Sequence, residues 1–287
     1  MKINIVIYRM LSVVIFALIA PVIGCSTARS VDDRLFDLQM QKDVPLSEAL
    51  DRMRQSRVVL VGEQHTNPGH HRAQLAVIRQ LHESGVKTAI GMEMFRNDSQ
   101  ADLNRWVRGE ISTAEFEKIY YDNWNYDWSL YRPIFEYARQ EKIPMVGLNV
   151  PREITRQVAR QGFQSLSKQQ KEQLSNITCR VDQAYMEYIR RSFGAHAHGN
   201  LNFIYFCEAQ LVWDNIMAAS SVAYLKSNPK SVMVLLAGAA HVRKQAVPAQ
   251  IRKRADIPYL VILPEVPGDI DSQTVDGADA DFLFLGP

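Results

Sequence analysis

Four stretches of the chain carry residues able to do chemistry, and each follows a run that reads as a β-strand. They are Gly62-Glu63-Gln64-His65, Gly91-Met92-Glu93, Asn149 with Pro151-Arg152, and Gly238-Ala239-Ala240-His241. In open α/β sheets, ligands bind in the crevice beyond the carboxyl ends of the strands. Glu63, His65, Glu93, Arg152 and His241 are therefore expected to converge on one edge of a sheet. A glycine ahead of such a group lets the backbone turn sharply and approach a ligand closely. Imidazole nitrogen and carboxylate oxygen are ligands for a divalent ion such as zinc, manganese or iron. Glu63, His65, Glu93 and His241 thus form a candidate metal set, suited to a metal-dependent hydrolase that activates water on an ester or amide. The same groups also serve acid–base chemistry on a carbonyl. Each has a plainer reading: a glutamate there caps the next helix or pairs with Arg72 or Arg152, and a histidine is a hydrogen-bonded linker. Four strand ends in agreement favour a functional crevice.

The elements that must position these groups are legible in the hydrophobic pattern. Arg57–Val61, Thr88–Glu93, Pro144–Leu148, Ser231–Leu236 and Tyr259–Leu263 read as short strands apolar on both sides, with Asp281–Leu285 as an added edge strand. Between the first two, Leu75, Val77, Ile78 and Leu81 form a helical stripe over Gly69–Ser84. That helix starts at Thr66-Asn67-Pro68, where a cap and an early proline leave backbone N–H groups free for an anion. Strands of this kind separated by helices indicate an α/β fold with a mainly parallel sheet, because parallel strands need long crossovers. Long insertions, about residues 97–142 and 152–228, are read as a helical cap over that core, the second holding helical patterns at Ser165–Ser192 and Asn202–Lys226.

Other constellations are less specific. His70-His71 lies at a helix start, where His71 could face the crevice. His196-Ala197-His198, flanked by Gly194 and Gly199, suits a small metal or anion loop, or simply an interhelical turn. The block from Tyr120 to Pro133 holds Tyr120, Tyr121, Trp124, Tyr126, Trp128 and Tyr131 among Asp and Asn, too polar for ordinary core. An aromatic wall with polar tips suits a flat ligand or a partner subunit. Glu208, Gln210, Trp213 and Asp214 recur at helical spacing, so one helix face could line the same cavity. HExxH, GxSxG, Walker A and GxGxxG motifs are absent.

The beginning of the chain speaks to location. Lys2 and Arg9 lead into an apolar run, Met10–Ile23, that ends in Val22-Ile23-Gly24-Cys25. A charged start, a short apolar stretch and a small residue before the cut mark a signal peptide, residues 1–24, rather than a span. Cys25 makes it resemble the bacterial lipoprotein signal, which implies lipidation at that thiol; Ser26 in place of aspartate implies anchoring to the outer membrane, facing the periplasm. Residues 25–45 read as a polar tether, and 46–287 as one α/β domain. The whole chain carries a net charge of +2, and loss of Lys2 and Arg9 leaves it near zero, which argues against nucleic acid as a partner. Cys179 and Cys207 remain as a pair able to form a disulfide in an oxidising compartment, or to pack as small apolar residues.

Taken together, Gly62-Glu63-Gln64-His65, Glu93, the Asn-Trp-x-Tyr-Asp-Trp-x-x-Tyr-Arg-Pro block, Asn149-Val150-Pro151-Arg152, Ala209-Gln210-x-x-Trp213-Asp214 and Gly238-x-x-His241-Val242 resemble the ChaN family over about residues 45–265. Its members are haem-binding, iron-regulated lipoproteins of Gram-negative bacteria, related to TIKI and TraB proteins that share two GxxH motifs and a glutamate, matched here by His65, His241 and Glu93. The resemblance implies haem at a homodimer interface, a tyrosine on the iron, a histidine near the propionates, and a role in haem uptake or storage with an outer-membrane haem receptor as a partner. Tyr126, Tyr131, Tyr120 and Tyr205 are the ligand candidates, and His196, His198 and His71 the propionate candidates. A phenolate is a hard oxygen ligand suited to ferric haem.

Overall fold

The computed structural model describes residues 33–174, 177–193 and 202–287. The leader with Cys25, and the pair His196 and His198, lie outside the described residues. The chain opens with strands β1 (Arg34–Asp37) and β2 (Lys42–Pro45), then helix α1 (Leu50–Gln55), β3 (Val58–Glu63), α2 (Pro68–Glu83) and β4 (Thr88–Arg96). Helices α3 (Gln100–Arg108), α4 (Thr113–Asn123) and α5 (Trp128–Gln140) lead to β5 (Met145–Asn149). Helices α6 (Arg152–Gln161), α7 (Lys168–Gln173), α8 (Gln183–Phe193) and α9 (Phe203–Ser227) precede β6 (Val232–Gly238). Short α10 (Ala239–Val242) and α11 (Val247–Arg252) then lead to β7 (Tyr259–Pro264) and β8 (Phe282–Phe284).

The eight strands form one sheet in the order β2-β1-β8-β7-β3-β6-β4-β5. Pairing is parallel from β8 through β5, and β1 runs antiparallel to both β2 and β8. The sheet is therefore mixed but mostly parallel. Alternation along β3 explains the layers. Val59 and Val61 face a core with α2 to α5, where Trp106, Phe116, Tyr120 and Phe135 pack. Val58 and Leu60 face a second core with α9, α10 and α11. The insertion at 97–142 thus packs on the sheet and also brings its 124–126 turn to the cavity at the strand ends, which α6, α8 and α9 line as well.

Local chemistry sets the element ends. Asn67 caps α2 by accepting from Gly69 N, with Pro68 in the first turn. Asp127 caps α5 through Ser129 N, and Asn202 caps α9 through Ile204 N. Gly109 closes α3 at φ 76, a left-handed position that glycine takes without Cβ strain.

Three expectations need correction. Residues 34–45 of the expected tether form β1 and β2, which extend the main sheet. The expected edge strand near Asp281–Leu285 is interior, between β1 and β7, because β1 covers its outer side. The helical pattern at Ser165–Ser192 is broken into α7 and α8, with Cys179 in the irregular segment between them. Cys179 and Cys207 are free thiols; burial pushes both upward, Cys179 to about 12 and Cys207 to about 11. Among the described residues no helix is long and apolar enough to cross a membrane.

Candidate functional site

The strand order carries the site. β3, β6, β4 and β5 are neighbours, and register places Glu63 beside Gly238, so four chemistry-bearing strand ends open on one edge. Glu63, the last residue of β3, is fully buried, and its Oε1 accepts from Tyr131 Oη and from His65 Nδ1, each at 2.6 Å. His71 Nδ1 lies 2.8 Å from Oε2, close enough for an ion pair but misaligned for a hydrogen bond. Burial alone would raise this carboxyl, yet the close approach and charge of His65 and His71 outweigh it and hold Glu63 at about 2. The two histidines answer in kind: burial opposes their charge, but Glu63 raises both. His70 has no such carboxylate partner, and burial lowers it to about 4. Its Nδ1 accepts from Gln64 N at 2.8 Å, which fixes the turn that carries His65.

A second assembly faces the first across the crevice. His241 Nδ1 meets Asp214 Oδ1 at 2.7 Å, and Tyr185 Oη donates to Asp214 Oδ2 at 2.5 Å. Burial opposes charge on His241, but Glu93 and Asp214 raise it to about 9. Tyr188 donates to the Ala240 carbonyl and steadies the turn behind His241. Each assembly is a buried tyrosine holding a buried carboxylate that grips one imidazole nitrogen. The other nitrogens, His65 Nε2 and His241 Nε2, face the space between them. Glu93 lies between the two, with Oε1 3.9 Å from His241 Nε2 and Oε2 accepting from Gly238 N at 2.7 Å.

These bonds correct the expected metal set. Among the described residues no group of three or more His, Cys, Asp or Glu is placed to hold a metal ion. Ligand atoms sharing a tetrahedral ion with bonds near 2 Å stand roughly 3.3 Å apart. Glu63 Oε1 and His65 Nδ1 approach to 2.6 Å and bond to each other instead.

Above this floor lies a cavity of about 460 Å³, within the range of small-molecule sites. Trp124 and Tyr126 come from the turn before α5, Arg152 and Arg156 from α6, Phe193 from α8, and Phe206, Gln210 and Trp213 from α9. His65 packs edge-on to Trp124 at 5.1 Å and against Tyr126 at 4.8 Å. Gln210 is 5 % exposed, lines the cavity, and its Oε1 has no hydrogen-bond partner. A buried amide oxygen without a partner is costly to stability.

The four candidate tyrosines separate clearly. Tyr131 and Tyr120 are fully buried, and their hydroxyls donate to Glu63 and to the Tyr126 carbonyl. Burial and the Glu63 charge hold both far above the ordinary phenol range, so neither suits a phenolate ligand. Tyr205 packs against Gly162 and does not line the cavity. Tyr126 does, and its hydroxyl bonds to no described residue. Of the propionate candidates, His71 is 3 % exposed and enclosed by Glu63 and Tyr131, so it has no path to a ligand.

Arg152 donates to Asn125 Oδ1 at 2.6 Å and to the Asn123 carbonyl at 2.9 Å. It therefore ties α6 to the aromatic turn. Two participants escaped the sequence reading. Tyr185 sits on a separate helix with no spacing that links it to Asp214. Arg156 was signalled by its i,i+4 spacing from Arg152 on a helix that begins at a strand end.

The family model that matches this chain is described as haem-binding uptake, Tiki superfamily, ChaN, and it covers residues 49–251. A solved structure described as cofacial haem binding to ChaN of Campylobacter jejuni shares 20 % identity. It covers 88 % of this chain and 96 % of that one, with a TM-score of 0.64. An erythromycin esterase, EreC, in its open conformation shares 17 % identity over 88 % of this chain and 81 % of its own, with a TM-score of 0.48. The chloroplastic protein RETICULATA-RELATED 5 of Arabidopsis thaliana is 22 % identical over 281 residues, 89 % of this chain. The chain spans only 38 % of that curated relative's length.

Proposed function

This chain belongs to the haem-binding uptake family ChaN of the Tiki superfamily, and we propose from that premise that it holds haem in the crevice cavity with Tyr126 as the axial ligand. The observation that carries the ligand assignment is the position of Tyr126. It is the one phenol of the four candidates that lines the cavity, and its hydroxyl is not spent on a described residue. Haem supplies a ferric iron that takes a hard phenolate oxygen. The chain supplies an aromatic wall from Trp124, Phe193, Phe206 and Trp213, with Gln210 as a polar residue of the same lining. His65 packs on the Tyr126 ring and restricts its rotation, with Glu63 fixing His65 in turn.

Haem lies between two copies of the chain, which are lipid-anchored through Cys25 at the outer membrane and face the periplasm. A single axial ligand at an open site suits storage or hand-over in haem and iron acquisition, with a membrane haem receptor as the partner. Haemin titration followed by absorbance and sedimentation tests this. Wild-type protein should bind about one haem per chain with a tyrosinate-type ferric spectrum, and pair as it fills. Y126F should lose that spectrum, while Y131F, which removes a buried hydroxyl below the cavity, should keep it. Retention of the spectrum by Y126F would reject the ligand assignment.

A further inference from the structure

The cavity has one cationic wall, and the groups on it lack a counter-charge. Arg152 and Arg156 stand one turn apart on α6, and both line the cavity. Neither forms an ion pair with any described carboxylate: Arg152 bonds only to the neutral Asn125 and Asn123, and Arg156 has no hydrogen-bond partner among the described residues. Glu153, the acid of the same turn, is exposed and pairs with neither. The placement also runs against the helix dipole. Arg152 is the first residue of α6, where the positive end disfavours cations and favours an anion. Burial lowers Arg152, and the neighbouring charges of Arg156 and Arg96 lower it further. A bound anion at this end of α6 would meet the two guanidiniums and the free N–H groups of the helix start together.

The rest of the lining includes the apolar rings of Phe193, Phe206 and Trp213. A ligand matching this division is flat and apolar with acidic groups at one edge. We propose that Arg152 and Arg156 form the carboxylate-binding wall of the cavity and orient the haem by its two propionates. Arg156 acts as the direct guanidinium partner, and Arg152, tied to the aromatic turn, fixes the depth. This rests on the haem reading above. It assigns to α6 the contact that the sequence placed on histidines.

The test compares haemin with haemin dimethyl ester, in which both carboxylates are blocked, by equilibrium absorbance titration of the purified full chain. Arg156 is exposed and bonded to nothing described, so R156Q should fold as the wild type does. R156Q should weaken haemin binding about fivefold to tenfold, as loss of a charge-assisted contact at a half-open site implies. It should leave ester binding unchanged, and R156K should recover most of the loss. Equal weakening of acid and ester by R156Q, or no weakening of either, would overturn the assignment. Failure of the wild-type chain to bind haemin at all would reject the haem reading itself, and this inference with it.

Discussion

Tyr131 on α5 donates its phenol proton to Glu63 at the end of β3 across 2.6 Å, joining residues 68 positions apart under the cavity floor. Glu63 accepts from His65 on the same oxygen. The floor thus joins a carboxylate to a phenol and one imidazole by hydrogen bonds, with His71 beside it as an ion-pair partner. Networks of this kind hold side chains rigidly, and losing one member leaves another buried and short of a partner.

Y131F should therefore destabilise the protein while leaving the cavity lining intact. Removing one hydrogen bond to a buried charge costs roughly 1.5–3 kcal/mol. Urea unfolding should show a lower midpoint at an unchanged slope. A midpoint equal to wild type would mean that the phenol contributes nothing to holding Glu63.

The pH profile of stability should be a dome with its top near neutrality. Glu63 falls from 4.5 to about 2 in the fold, so its contribution is complete above pH 4.5 and is lost as pH falls towards 2. His70 falls from 6.5 to about 4 through burial, and it adds to the acid side between those values. His241 rises from 6.5 to about 9, so its contribution is complete below pH 6.5 and is lost as pH rises through 9. That alkaline arm is worth on the order of 3 kcal/mol. Unfolding midpoints at pH 6.5 and 9 measure it, and H241N should flatten the difference. An equally steep alkaline arm in H241N would assign it to other groups.

Gly147 should tolerate no side chain. A Cβ there would stand 2.3 Å from the Arg96 carbonyl oxygen, where β4 and β5 shift register between Met92 and Arg96. Backbone rather than a flexible side chain would have to move, and such overpacking costs about 1–3 kcal/mol. Because Asn149 Nδ2 donates to the Glu93 carbonyl across that shift, G147A should also disturb the crevice edge. Thermal unfolding checks the first effect, and amide exchange at residues 93 to 96 the second.

Gln210 should trade stability for binding. Its Oε1 is buried without a hydrogen bond, so Q210L removes an unmet acceptor and should raise ligand-free stability by about 1 kcal/mol. The same change should weaken haemin binding severalfold if the amide contributes to the site, because Gln210 lines the cavity. A variant both less stable and unaffected in binding would show that the amide is structural.

Much of the frame was legible because it rests on local pattern. The apolar runs near 58–61, 88–93, 145–148, 232–236 and 259–263 are strands, since a parallel strand buried on both faces reads as a continuous hydrophobic run. β1 and β2 were not legible. Arg34-Leu35-Phe36-Asp37 and Lys42-Asp43-Val44-Pro45 are short and half polar, and only the pairing of β1 with β8 and of β2 with β1 makes them strands. The break between α7 and α8 likewise has no strong local signal.

Read alone, the chain specifies which chemistry reaches the crevice: glycine followed by Glu, His or Arg at each strand end places those groups at one edge of any parallel sheet. It also points to the aromatic turn. The fold adds what spacing cannot carry, namely which atoms are already taken. Tyr131 and Tyr126 lie five residues apart in one aromatic block, yet one is spent on Glu63 and the other lines the cavity. Likewise Asp214 holds His241 with help from Tyr185, 29 residues away along the chain. A hydrogen bond depends on distance in space and excludes further partners once made, so the division between structural and available groups arises only when the layers pack.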